Sequence, residues 1–267
     1  MKGGSIMANY MTKEEIMERM SDHYYEAKQM GDLFGVFLQG SQNYIEDKFF
    51  EGSDVDTRAI FVPSPREIIL TTEGSKKIHL MDNEEHLDIL DIRNAFKLYK
   101  KASINNFETL FTEYFIVNPK YQKDFEKLQT LREDLAVTDK KNFLMTTMGV
   151  SYRDLNTLQH RNGGNDADLE KYGYVRKRLS NIMRFNATVK AYIERPFSKC
   201  LKALDQDEIH RVRRTHTYEE KEALELANKL HQETRQLAEE FVSMEETNNS
   251  RELLDDFLVE ILSKQFL

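Results

Sequence analysis

Two carboxylates spaced i, i+2, Asp54 and Asp56, open an apolar run that ends at Val62. On a strand, alternate side chains share a face, so both acids point the same way. Like charges held side by side repel, and a hard divalent cation with oxygen ligands between them removes that cost. Upstream, the apolar run 33–38 reads as another strand and ends in a Gly40-Ser41 turn. The backbone N–H groups and hydroxyl of such a turn suit a phosphate. The stretch therefore predicts a strand end where a metal ion and a phosphate meet, the setting of phosphoryl or nucleotidyl transfer.

The bulk of the chain sets the bounds. Its 267 residues allow one or two domains with a sizeable core. Apolar residues make up 40% and charged residues 31%, a globular balance, and no run approaches the ~20 apolar residues of a membrane span. The polar start Lys2-Gly3-Gly4-Ser5 is unlike a secretory segment, and a lone Cys200 fits a reducing cytosol, so a cytoplasmic location is expected. Net charge is −8, against indiscriminate nucleic-acid binding, but residues 171–214 hold twelve Lys or Arg and only four Asp or Glu. Such a segment offers a basic face to a polyanion such as triphosphate or RNA, or else solvated helix faces.

In chain order, Thr12 and Glu15 form a capping box for a helix over 12–30. Strands are expected over 33–38 and 54–62, the second stopped by Pro63 and Pro65. Residues 42–50 read as a short helix and a loop, and 67–70 as either helix or strand. Two further strands, 77–81 and 85–90, flank an Asp82-Asn83-Glu84 turn. In the second, Leu87 and Ile89 share the core face and Asp88 faces the other way, where a third carboxylate is needed. Asp91 reads instead as the N-cap of a helix over 92–101. A short helix over 105–111, an extended segment 115–119 and a helix over 120–131 complete the first half. No strand signal follows 136–140. Helices are expected over 141–160, from 169 or 171 to 194, from 217 to 244 under a Thr217/Glu220 capping box, and from 250 onward. The last has a wide apolar face including Leu253, Phe257 and Ile261, which packs on the bundle or on a partner subunit.

The string Gly40-Ser41, Tyr44, Ser53-Asp54-x-Asp56-x-Arg58 resembles the DNA-polymerase-β-like nucleotidyltransferase superfamily. Within it, the chain is similar to the predicted nucleotidyltransferases associated with bacterial and phage RNA repair. Residues 88–97 resemble that branch's acidic strand running into a helix. Gly173, Tyr174, Lys177 and Arg184 match its second motif. Ile45, Val175 and Arg178 depart from it, standing where the branch usually has glycine, aspartate and histidine.

The resemblance implies an α+β chain: a nucleotidyltransferase domain over 12–136 with a small mixed sheet, then an all-helical domain over 137–267. It implies Mg²⁺, in a two-metal site held by Asp54, Asp56 and Asp88, and an NTP substrate. Gly40 and Ser41 would hold the triphosphate, with Arg58, Tyr174, Lys177 and Arg178 as further nucleotide-binding residues. Arg58 either pairs with Asp56 or contacts substrate. The acceptor hydroxyl would belong to RNA, such as a tRNA 3′ end in repair. Alternatives are a non-catalytic nucleotide- or RNA-binding module, and transfer to a protein or small molecule. Homo-oligomers through the C-terminal helices are a further expectation. Zinc motifs, a His-Glu-x-x-His pair, a P-loop and a dinucleotide fingerprint are absent from the sequence.

Overall fold

The computed structural model describes residues 10–40, 43, 49–50, 54–74, 76–161, 166–192, 196–242 and 250–267. The fold is α+β, with a mixed sheet in the N-terminal half and helices after it. The chain divides into two compact units. One comprises the residues through Lys100, Asn105–Arg132 and Arg251–Leu267; the other comprises Lys101–Ile104 and Glu133–Ser250.

The first unit is built on strands β2 (Leu33–Leu38), β4 (Thr57–Phe61), β5 (Lys76–Leu80), β6 (His86–Asp91) and β7 (Phe115–Val117). They lie in the order β5-β6-β4-β2-β7. Only the β4–β6 neighbours run parallel. A separate antiparallel pair joins β1 (Tyr10–Met11) to β3 (Phe49–Phe50). Helix α1 (Lys13–Met30) covers one sheet face, and the expected capping box is present: Glu15 N–H donates to Thr12 Oγ1 at 3.2 Å and Thr12 N–H to Glu15 Oε2 at 2.6 Å. Ile16, Met20 and Ala27 on α1 pack with Val36, Leu38, Val55, Ala59 and Leu87 of the sheet, all fully buried. Each large apolar side chain so buried contributes about 1.5–3 kcal/mol.

The other sheet face carries an aromatic cluster. Phe125, on α5 (Gln122–Thr138), lies 5.4 Å from Phe37 and 4.7 Å from Phe115, ring centre to ring centre. The ambiguous segment after Pro63 is a helix, α2 (Pro65–Ile69), because Ser64 and Glu67 form a second capping box with proline at the first turn. Helices α3 (Ile92–Lys100) and α4 (Ile104–Phe111) follow β6.

Helix α12 (Ser250–Ser263) runs back to this first unit, unlike the sequence-based division at 137–267. Phe257 stacks on Phe96 of α3 at 6.2 Å, Asp255 pairs with Lys100, and Glu260 pairs with Lys127. Beyond it, Lys264 reaches Asp124 at 2.5 Å and Gln265 reaches Asp32 at 2.9 Å. The apolar side chains Leu254, Phe257 and Ile261 are buried in the process, so this face is spent within the chain's own first unit.

The second unit is helical: α6 (Lys140–Asn156), α7 (Asp166–Tyr172), α8 (Arg176–Tyr192), α9 (Phe197–Cys200), α10 (Gln206–Arg214) and α11 (Glu220–Val242). Asp139 caps α6 through Asn142 N–H. Tyr174, Leu179, Ile182, Val212, Ala223 and Ala227 are fully buried together. Two expectations are corrected here. The helix expected to run unbroken from 169–171 to 194 is interrupted at Gly173, whose φ of +74° ends α7. The helix expected from Thr217 begins at Glu220, because Thr217 Oγ1 instead donates to the Arg211 carbonyl that ends α10.

Candidate active site

Asp54 and Asp56 stand at the mouth of the sheet, just before β4. Val55 between them is fully buried in the core, so its neighbours are turned outward. Asp54 is exposed and Asp56 half-exposed. Strand pairing ends at Thr57, yet Gln39 N–H still donates to Asp56 O at 2.9 Å. That bond places Gln39, and Gly40 directly after it, beside Asp56. Gly40 has φ +87°, a conformation that glycine adopts without strain. Asn43 Nδ2 donates to Leu38 O at 2.9 Å. Ser41, Tyr44, Ile45 and Ser53 lie outside the described residues.

Asp56 also faces the start of β6: His86 N–H donates to Asp56 Oδ1 at 3.2 Å, with the His86 ring at 3.3 Å. Two residues further along, the parallel register sets Arg58 against Asp88. Arg58 donates to Asp88 Oδ2 through Nε at 3.1 Å and Nη2 at 2.9 Å. It also reaches Asn106 Oδ1 at 3.1 Å, and Gln39, with its amide oxygen turned inward, accepts from Nε at 3.0 Å and Nη2 at 2.6 Å. Arg58 therefore pairs with Asp88, not with Asp56, since the residue opposite it across the parallel ladder is an acid. Asp88 Oδ1 is buried with no hydrogen-bond partner. Asp91 caps α3 as expected, accepting from Arg93 N–H at 2.8 Å and from its guanidinium at 3.0 and 2.7 Å.

Behind the pair, on the α1 face, lies a polar network with no expectation in the sequence reading. Glu85 is fully buried. Its Oε1 accepts from Val55 N–H at 2.5 Å and from the Arg19 guanidinium. Its Oε2 accepts from Asn83 Nδ2 at 2.7 Å and lies 3.1 Å from His23 Nε2. His23 Nδ1 is 2.6 Å from Thr57 Oγ1. These partners define the neutral tautomer with the proton on Nε2, given to Glu85, and the Thr57 hydroxyl donating to Nδ1. Burial, with the Arg19 charge nearby, pushes the His23 pKa down to about 4. Glu85 gave no sequence signal beyond standing at a strand start. The mark that would have found it is an acid at a position otherwise reserved for core.

A hard-cation site needs oxygen donors on one side. Asp54 and Asp56 offer two outward-facing carboxylates of that kind. The expected three-aspartate set does not fit as arranged: among the described residues no three carboxylate, imidazole or thiol groups gather as a metal-binding cluster. The reason is local, since the charge of Asp88 is already met by Arg58.

The residues expected to bind nucleotide from the helical unit divide sharply. Tyr174 is fully buried and its hydroxyl donates to Tyr218 O at 3.1 Å, so it is a core residue with nothing to offer a ligand. Arg178 donates to the fully buried Asp154 at 2.7 Å, and Asn181 Nδ2 donates to the same carboxylate at 3.0 Å. Arg176 is taken by Asp168 at 2.9 and 2.7 Å. Lys177 is exposed. Much of the basic segment is therefore engaged in holding its own helices together.

No protein-family model matches the chain, and no curated protein matches it. Among solved structures, the chain is similar to a nucleotidyltransferase-like protein from Exiguobacterium sibiricum 255-15. Identity is 12%, over 93% of this chain and 80% of that one, with a TM-score of 0.31. Similarity of that size does not establish a shared fold. Among the described residues no helix is long and apolar enough to cross a membrane.

Proposed function

We propose that the chain is a nucleotidyltransferase, moving a nucleoside monophosphate from an NTP to a hydroxyl acceptor with pyrophosphate as the leaving group. The observation that carries this reading is the Gln39 N–H to Asp56 O bond, which sets Gly40 beside Asp56 of an outward-facing aspartate pair. A backbone suited to phosphate at Gly40 and a pair suited to a cation would then be neighbours, as transfer at a phosphorus centre requires. Asp54 and Asp56 would hold Mg²⁺, which when bound neutralises charge on the phosphates and lowers the pKa of the acceptor hydroxyl. The backbone of the Gly40 turn orients the phosphate tail. Arg58, on the same strand face as Asp56, is held by Asp88, Gln39 and Asn106, and its charge is already met by Asp88. The acceptor in this reading is RNA, such as a tRNA 3′ end. That choice rests on the likeness of the sequence motifs to the RNA-repair branch.

The test is incubation with each labelled NTP, Mg²⁺, and total RNA or total protein. Label in RNA that disappears with Asp56→Asn supports the reading. Label in protein or a small molecule keeps the reaction and changes the acceptor.

The Arg58–Asp88 pair favours a second reading, a nucleotide-binding module without transfer, because it withdraws one carboxylate from metal binding. Saturable NTP binding with no labelled acceptor would select it.

A further inference from the structure

We propose that Glu85 is the positioning residue of the aspartate pair, setting the direction of Asp54 and Asp56 through the Val55 peptide. The proposal rests on the reading of Asp54 and Asp56 as cation ligands.

An ionised carboxylate taken fully out of water is costly unless several donors surround it. Glu85 has donors from three directions: Arg19 and His23 from α1, Asn83 from the turn before β6, and the Val55 backbone N–H. The first three would suffice to hold the acid in the core. The fourth is the informative one. It is a main-chain donor, and it belongs to the residue between the two aspartates. At 2.5 Å it is a short, charge-assisted bond.

The geometry explains what this bond does. The lead-in 54–56 lies ahead of the paired residues of β4, so the ladder does not fix it. A side chain is directed by its backbone, and this backbone is pinned at three points. The Val55 side chain sits in the core, Val55 N–H is held by Glu85, and Asp56 O is held by Gln39. Fixing Val55 N–H fixes the plane of the Asp54–Val55 peptide, and with it the direction of the Asp54 side chain. Asp56 is fixed from the other side by His86 N–H on its Oδ1. Glu85 and His86 are consecutive, so the residue just before β6 and the first residue of β6 grip the aspartate segment, one on each sheet face.

Glutamine at 85 keeps the size and polarity of the group but turns one acceptor oxygen into a donor. That NH₂ must then face either Val55 N–H and Arg19, or Asn83 and His23, all of them donors in this network. In the first orientation the Val55 bond is lost; in the second it survives without the carboxylate charge and is weaker, and the packing around it is preserved in both.

Terbium luminescence at Asp54 and Asp56, displaced by Mg²⁺, reads cation affinity directly without any catalytic assay. Glu85→Gln is expected to weaken cation binding about 10-fold or more, the usual effect of losing a partner that orients metal ligands. Glu67→Gln, which alters a glutamate in the α2 capping box, should leave it unchanged. A purely structural role would lower the melting temperature of Glu85→Gln while the folded protein bound the cation as the parent does; that result overturns the proposal and spares the reading of the pair. Should the parent bind no cation, or Asp56→Asn bind as well as the parent, the reading of the pair falls and this proposal with it. If Glu85→Gln does not fold, amide hydrogen exchange on the parent decides. A Val55 N–H held by Glu85 exchanges slowly, and exchange at the rate of an open loop overturns the proposal.

Discussion

Arg58 and Asp88 face each other in register across the parallel strands β4 and β6, joined by two hydrogen bonds of 3.1 and 2.9 Å to a single carboxylate oxygen. The pair is nearly closed to solvent, with side chains 10% and 15% exposed. A carboxylate already matched by a guanidinium has little charge to give a metal ion. We therefore expect one divalent cation per chain, not two, by calorimetry with Mn²⁺. Asp88→Asn should leave that affinity within about threefold, since it lies outside the ligand pair, and should cost about 3 kcal/mol of stability, the low end for breaking a buried ion pair. Two ions per chain, one of them lost in Asp88→Asn, would return Asp88 to the ligand set.

In the helical unit, Arg178 and its neighbour Lys177 should behave oppositely. Arg178→Ala removes the shortest bond to Asp154, which is fully buried. Urea unfolding should show a loss of about 3 kcal/mol. Lys177→Ala, at an exposed site, should stay within about 0.5 kcal/mol. If Lys177 contributes to triphosphate binding, its removal weakens NTP affinity most at low salt. Equal destabilisation by the two changes would contradict the burial difference between them.

Gly173→Ala should be among the most damaging single-atom changes in the chain. The backbone there has φ +74°, and an added Cβ would lie 2.5 Å from the Glu220 side chain. Glu220 is held by Gln159 at 2.8 Å, so moving it breaks a contact that ties the residues after α6 to the start of α11. A loss of about 1–3 kcal/mol is expected from the backbone alone. Shortening the obstacle with Glu220→Ala should recover part, but not all, of it. Full recovery would mean that the strain at φ +74° contributes nothing.

The His23 network predicts an acid-sensitive core. His23 titrates at about 4 in the folded chain because burial disfavours its charged form, against an ordinary value of 6.5. The unfolded chain thus binds the proton first as pH falls. The contribution of neutral His23 is complete above pH 6.5 and is lost progressively between 6.5 and about 4. Melting temperatures recorded across that window should fall for the parent. They should fall less steeply for His23→Gln, which cannot gain the proton. Identical slopes would remove His23 from the acid response.

Much of the first unit was legible because its signals are local. Capping boxes at Thr12 and the alternation of Leu87, Asp88 and Ile89 fix ends and faces within a few residues. What was hidden depends on register and distance in the chain. That Arg58 meets Asp88 follows from which residues of two parallel strands are level, and no short motif encodes that. Glu85 acquires its meaning from donors at positions 19, 23 and 55, so its neighbours in sequence say nothing of it. The break at Gly173 was missed because a glycine inside a helical pattern is often tolerated, and its left-handed backbone appears only with Glu220 beside it. At the candidate site, the outward pairing of Asp54 and Asp56 was readable from spacing. The commitment of Tyr174 to the core and of Arg178 to Asp154 was not, since residue type alone does not say which way an aromatic or a cation faces.

The return of α12 to the sheet-bearing unit has a consequence for how the protein is made. Phe96 waits for Phe257, and Asp32 for Gln265, across the whole of the helical unit. On a ribosome, the first half emerges with an apolar seat on α3 open, and it stays open while residues 133–250 are synthesised. The helical unit has its own core and need not wait. The order of maturation therefore runs against the order of synthesis: the later unit is finished first. During that interval the exposed seat is open to the premature contacts that exposed apolar surface makes in an unfinished chain.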